Sequence, residues 1–117
     1  MQNCIVEVDK IRSYQTLVYK NGNKTFKKKA YTQYERVIAL QIGGIKPIRG
    51  NTPIEVKLVF RSHYKVIGDA DNITKPILDI LQNNGKFEND RQIVDLHIIK
   101  LFGYKTSSIE IEIKECD

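Results

Sequence analysis

The chain has 117 residues, 41% of them hydrophobic and 28% charged, with 19 Lys/Arg against 14 Asp/Glu for a formal charge of +5. These are the proportions of one soluble globular domain spanning residues 1–117, long enough for a real core. No apolar run approaches the roughly 18 residues of a membrane span, and MQNCIVEVDK lacks the basic and apolar regions of a secretory leader, so no membrane association and a cytoplasmic location are expected.

Taken in chain order, CIVEV is a short β-like run, and TLVYK, Asn21-Gly22 and NKTF read as a hairpin or a long loop. From Lys28 to about Ile42 the pattern is helical, with Tyr31, Tyr34, Ile38 and Ile42 on one stripe, helped by Ala30 and Val37. Gly43-Gly44 ends it, and IKPIRGNTP is a Pro/Gly-marked loop. Ile54, Val56, Leu58 and Phe60 alternate with mostly charged residues, a half-buried strand. Ile73, Ile77, Ile80 and Leu81 mark the buried face of a second helix, which stops before Asn83-Asn84-Gly85. QIVDLHIIKLF, apolar on nearly both faces, is expected to be a central strand. Ile109, Ile111 and Ile113 alternate with Glu110, Glu112 and Lys114 in a last strand with one wet face. The fold class is therefore α+β, two helices packed on a mixed β-sheet. Cys4 and Cys116 would meet only if the terminal strands pair, and free thiols are expected.

Charge is unevenly spread. Residues 1–50 carry ten Lys/Arg against three acids, whereas residues 65–117 carry seven against ten. Such a split suggests a polyanion grip beside a cation site, and two ordinary solvated faces are the bland alternative. The basic residues singled out are Lys24, Lys27, Lys28 and Lys29, joined by Lys46 and Arg49, with Lys20 and Arg12 as extensions. Phe26 and Tyr31 lie among the lysines and could stack on bases, although Tyr31 also fits the core stripe.

The acidic side centres on GDADNITKPILDIL, where Asp69 and Asp71 directly precede or open the second helix. Two carboxylates this close repel, and a metal ion, a helix N-terminus or water must offset the repulsion. The helix start itself is open between Asp71 or Asn72, which makes Pro76 cost a hydrogen bond, and Thr74, which puts Pro76 in the first turn. Asp71, Lys75 and Asp79 recur every four residues on a polar stripe, where Lys75 and Asp79 could be a mere surface pair. FENDRQIVD adds Glu88, Asn89 and Asp90 in the turn before the apolar strand. Asp90 approaches Asp69 only if that strand runs antiparallel to VKLVF or the turn wraps back. An EF-hand loop is excluded, because counting from Asp69 puts Ile73 fifth, Thr74 sixth and Ile80 twelfth. Glycine-rich phosphate loops and Cys/His zinc patterns are absent, and His63 and His97 are isolated.

DADNITKPILDIL followed by KFENDRQIVDLHIIK closely resembles the RusA family of Holliday-junction resolvases, over residues 68 to about 100. The shared pattern is Asp-x-Asp-Asn-x-x-Lys, an acid one turn later, and an acidic turn before a Gln-Ile/Val strand. The resemblance implies a RusA-like homodimeric endonuclease, dependent on Mg²⁺ with Mn²⁺ substituting, that resolves four-way DNA junctions in recombination and repair. It implies no small-molecule cofactor and a bacterial cytoplasm, with a prophage or phage origin. Residue by residue, it places catalytic and metal-binding carboxylates on Asp69, Asp71 and Asp90 and an essential lysine on Lys75. Asn89 stands where the family has a first acid, so it is a neutral ligand or a hydrogen-bonding partner, and the role of Asp79 stays open. The family's Pro- and Arg-rich opening is replaced here by CIVEVDK and KNGNKTFKKK. A nuclease for other branched DNA, or a nucleic-acid-binding protein of the same fold with weakened catalysis, are the rival readings.

Overall fold

The computed structural model describes residues 1–65 and 67–116. The chain runs through β1 (Gln2–Val8), α1 (Tyr14–Leu17), β2 (Val18–Asn21), β3 (Lys24–Lys27), α2 (Lys29–Ala39) and β4 (Ile54–Ser62). It continues through α3 (Ala70–Asn83), a 3-10 turn (Asp90–Gln92), β5 (Ile93–Phe102) and β6 (Ser107–Glu115). The expected α+β order is present, but with three α-helices among the described residues rather than two. The additional one, α1, is a single turn that buries only Leu17, too short to show a helical period.

The main sheet has the order β1-β6-β4-β5, antiparallel except for the parallel pair β4/β5, and β2/β3 form a separate ribbon. One sheet face carries Val56, Leu58, Phe60, Ile109, Ile111 and Ile113. It belongs to the same buried cluster as Ile73, Ile77, Ile80 and Leu81 of α3 and Tyr31, Tyr34 and Ile38 of α2. Each fully buried aliphatic side chain stabilises the fold by roughly 1.5–3 kcal/mol. The opposite face is polar: Arg61 pairs with Glu110 at 2.9 Å. Hydrogen bonds from Asn3, then from Arg61, hold the Glu110 carboxyl below the usual carboxylate range.

β5 corrects the expectation of a central strand. The last strand, β6, inserts between β1 and β4, which leaves β5 on the edge beside β4. Val94, Leu96, Ile99, Leu101 and Phe102 are consequently exposed, Val94 and Phe102 by more than half. Val37 is likewise 43% exposed and lies off the α2 core stripe. β1 does pair with β6, but Cys4 lies opposite Ile111, and no disulfide joins Cys4 to Cys116 among the described residues. The Cys4 thiol donates to the Gln41 carbonyl at 3.1 Å, and burial raises its pKa.

Candidate functional site

Helix α3 begins earlier than either start considered from sequence. Asp69 is its N-cap residue, in extended backbone, and the Asp69 carbonyl accepts the first helical bond from the Ile73 N–H at 3.0 Å. Pro76 therefore lies inside the helix, where it lacks the N–H that would reach Asn72. Its ring is buried with the apolar face of α3, a contribution that opposes that loss. The chain enters α3 through Gly68 at φ +106°, a conformation L side chains rarely adopt. A Cβ there would also stand 3.3 Å from the Ser13 Cβ.

Asp69 and Asp71 are both exposed. Among the described residues Asp69 makes no side-chain cap, and Asp71 Oδ1 accepts the neighbouring Asn72 N–H at 2.9 Å. The positive end of the helix dipole partly offsets their repulsion. So does a cation that no local motif reveals: Lys100 reaches from β5 to donate to the Gly68 carbonyl at 2.8 Å, placing an ammonium beside the start of α3.

Lys75 lies one turn further on. Its ammonium sits 4.9 Å from the centroid of the Tyr14 ring and 3.5 Å from Asp79 Oδ2. Asp79 accepts in turn from the Tyr31 hydroxyl at 3.5 Å. Lys75 is thus held by α1 and α2 as well as by its own helix, which distinguishes it from a lysine on a plain solvated stripe. Tyr31 is fully buried in the core, and burial, then the nearby Asp79 carboxylate, pushes its pKa upward. Tyr14 and Tyr31 carry no local motif; only the packing of α1 and α2 on α3 brings them here.

The second acidic turn is built around capping. Asn89 Oδ1 accepts from the Arg91 N–H at 2.9 Å, and the buried Gln92 closes the box by accepting from the Glu88 and Asn89 N–H groups. The Gln92 amide also donates to the carbonyls of Arg49 and Thr52, tying this turn to the loop before β4. Of the two roles open to Asn89, the structure gives it hydrogen bonding, a task an aspartate performs equally well. Asp90 remains exposed beside it.

Asp71, Thr74, Lys75, Asp79 and Asp90 line one groove between α3 and β5, floored by Leu96 and Ile98. The buried Thr74 hydroxyl in this groove finds no partner among the described residues. Within that groove the carboxylates are spread out rather than gathered. Among the described residues no three His, Cys, Asp or Glu side chains form a group that could hold a metal ion, so Asp90 does not join Asp69 and Asp71 within one chain. The reason is topological. β5 runs parallel to β4, so Asp90 precedes the end of β5 that pairs with Ile54, while Asp69 follows the opposite end of β4. The available donors are hard carboxylate oxygens, the class Mg²⁺ prefers, and Asp69 with Asp71 matches the one or two carboxylates it takes.

The basic residues form two groups. Lys24, Lys27, Lys28 and Lys29 are exposed on the β2/β3 ribbon and the start of α2. Lys27 reaches Glu35 at 3.5 Å and lies over the Tyr31 ring at 4.6 Å. Lys46 and Arg49, also exposed, sit in the loop beyond the other end of α2, a helix about 16 Å long. Lys46 exchanges hydrogen bonds with Gln2, and Arg49 stands above the Gln92 cap. The helix that leads into the ribbon, α1, packs on α3, with its Tyr14 ring beside Lys75.

Among the described residues no helix is long and apolar enough to cross a membrane. No curated protein matches the chain. The family model of endodeoxyribonuclease RusA matches residues 9–114, taking in the ribbon, both acidic turns and the whole groove. The chain is a member of the RusA family, a crossover junction endodeoxyribonuclease of the Holliday-junction-resolving class.

Proposed function

We propose that the protein is a Mg²⁺-dependent, structure-specific nuclease that resolves four-way junctions by paired nicks during recombination and repair, acting as a homodimer. One observation carries this reading. Two exposed carboxylates at the start of α3, of which Asp71 accepts the neighbouring Asn72 N–H, stand one turn from a lysine that contacts Tyr14 of α1, the helix that leads into the basic ribbon, and pairs with Asp79.

Each element has a chemical task. Lys24, Lys28 and Lys29 attract the DNA backbone. The N–H groups opening α3 present partial positive charge to a phosphate. Asp69 and Asp71 would hold the metal ion, which when bound supplies charge neutralisation and a more acidic water. Lys75, drawn toward Asp79 and the Tyr14 ring, places positive charge where the transferring phosphate gains negative charge.

Paired nicks call for two such sites related by a twofold axis, which a C2 dimer supplies. The exposed apolar edge of β5 is the proposed dimer surface, since an unpaired edge strand of this composition invites a second strand. Antiparallel pairing of two β5 edges would bring the partner subunit's Asp90 toward the sheet end that carries Asp69 and Asp71. That arrangement accounts for carboxylates that one chain leaves apart.

The test is a panel of labelled four-way, three-way and linear DNA with Mg²⁺. Symmetric nicking of the four-way junction is expected, abolished by Asp71→Asn with binding retained. Equal cutting of linear duplex, or unchanged cleavage by the variant, rejects the reading.

A further inference from the structure

Among the described residues the ribbon β2/β3 hydrogen-bonds to no other strand, and every residue from Tyr19 to Lys29 is exposed. Its base is anchored where the Lys28 N–H donates to the Leu17 carbonyl at 2.8 Å and Lys27 meets Glu35. Tyr19 lies directly opposite Phe26 in register, so both side chains stand on one face of the ribbon. Their rings stack, with centroids 5.4 Å apart and planes 22° apart, and they remain 50% and 40% exposed. Lys27, one residue on from Phe26, is on the other face and turns toward Tyr31 of α2. The aromatic pair therefore points away from the body of the protein. Around it, residues 10–34 contain seven Lys/Arg and no acid.

We propose that the Tyr19–Phe26 pair is a stacking platform for unstacked nucleobases at a DNA branch point, with Lys20 and Lys24 holding the flanking phosphates. This rests on the nuclease reading above and deepens it by naming what recognises the branch. An intact duplex hides its base faces in its own stack, so an aromatic pair has nothing to receive from it. At a branch the stack is interrupted, and a base can lie on an exposed ring of the pair as one more layer. Cations alone give affinity for any DNA. Cations around an aromatic platform favour DNA with open base faces.

The experiment uses a four-way junction carrying 2-aminopurine at the branch, bound by Asp71→Asn protein so that it stays uncut. Binding should raise the fluorescence, reporting a base that has left its nucleobase neighbours for the ring pair. Adding Tyr19→Leu and Phe26→Leu, which keeps the ribbon apolar but removes its rings, should abolish the rise. It should also weaken junction binding by about tenfold to a hundredfold, with duplex affinity changed less than about twofold. Tyr19→Phe, which keeps the ring, should behave as the parent.

An unchanged fluorescence rise, or equal losses on junction and duplex, overturns the proposal and leaves the pair as a clasp for the ribbon. A fall in sedimenting mass without DNA would assign the pair to contact with a second copy, and overturns it as well. Failure of the unmutated chain to cut any four-way junction would instead defeat the nuclease reading. The fluorescence result on branched DNA would still decide the platform.

Discussion

Lys75→Met separates a catalytic lysine from a stabilising one. What the side chain contributes to stability can be worked from its surroundings. Its pair with Asp79 is 3.5 Å long between side chains 52% and 37% exposed, the kind of i,i+4 surface pair worth about 0.3–0.5 kcal/mol. Its contact with the Tyr14 ring, 4.9 Å to the centroid and open to solvent, adds about 0.5–1 kcal/mol. Methionine keeps most of the aliphatic stem, so the total loss is about 1 kcal/mol. For 117 residues that corresponds to a Tm lower by about 4 °C. Loss of a fixed charge facing the developing negative charge should cost about a hundredfold to a thousandfold in the cleavage step. The assay is single-turnover cleavage of an end-labelled four-way junction at saturating protein, with junction affinity measured separately. Lys75→Arg should recover part of the rate, and Tyr14→Phe, which keeps the ring, nearly all of it. A rate within about threefold of the parent, or a loss found entirely in affinity, would refute the assignment.

Mixing Asp71→Asn chains with Asp90→Asn chains tests the shared site: if Asp90 serves the partner's carboxylates, hybrid dimers regain one intact site and nick one strand, whereas a site within one chain leaves the mixture inactive. Asn89→Asp should leave the melting temperature and cleavage near the parent's, because aspartate caps as well as asparagine, while Asn89→Ala should cost about 1 kcal/mol in denaturant unfolding. Burial raises the pKa of Tyr34, whose hydroxyl accepts the Arg12 N–H, so its folded pKa exceeds its unfolded one. The unfolded chain then releases this proton first, and stability present below pH 10 should fall as pH rises further, by up to about 1.4 kcal/mol per pH unit. Tyr34→Phe should flatten that slope in alkaline melting curves, and an unchanged slope would show that Tyr34 is not its source.

Sequence periodicity was a sufficient guide wherever one face of an element is buried and the other wet. The stripes of α2 and α3, the alternation of β4 and β6, and the Asn21-Gly22 hairpin all record a local contrast between core and water. β5 misled for the same reason. A strand apolar on both faces reads identically whether it is enclosed within a sheet or exposed at an edge. Only the insertion of β6 between β1 and β4 decided that. The start of α3 also escaped, since Pro76 argues for a later cap unless the surrounding core compensates the missing bond.

The candidate site divides along the same line. Asp69, Asp71, Lys75 and Asp90 are legible as residues because short-range spacing carries the family pattern. Their mutual placement is not, since it depends on the direction of β5, and parallel pairing keeps Asp90 from joining Asp69 and Asp71 within a chain. Lys100 at the Gly68 carbonyl and Tyr14 under Lys75 are absent from any local motif, for they meet the site from 32 and 61 residues away along the chain. Spacing along a chain can specify which groups an element presents to water or to the core. Which groups from distant segments then face each other follows from strand order and direction, settled by the packing of the whole domain.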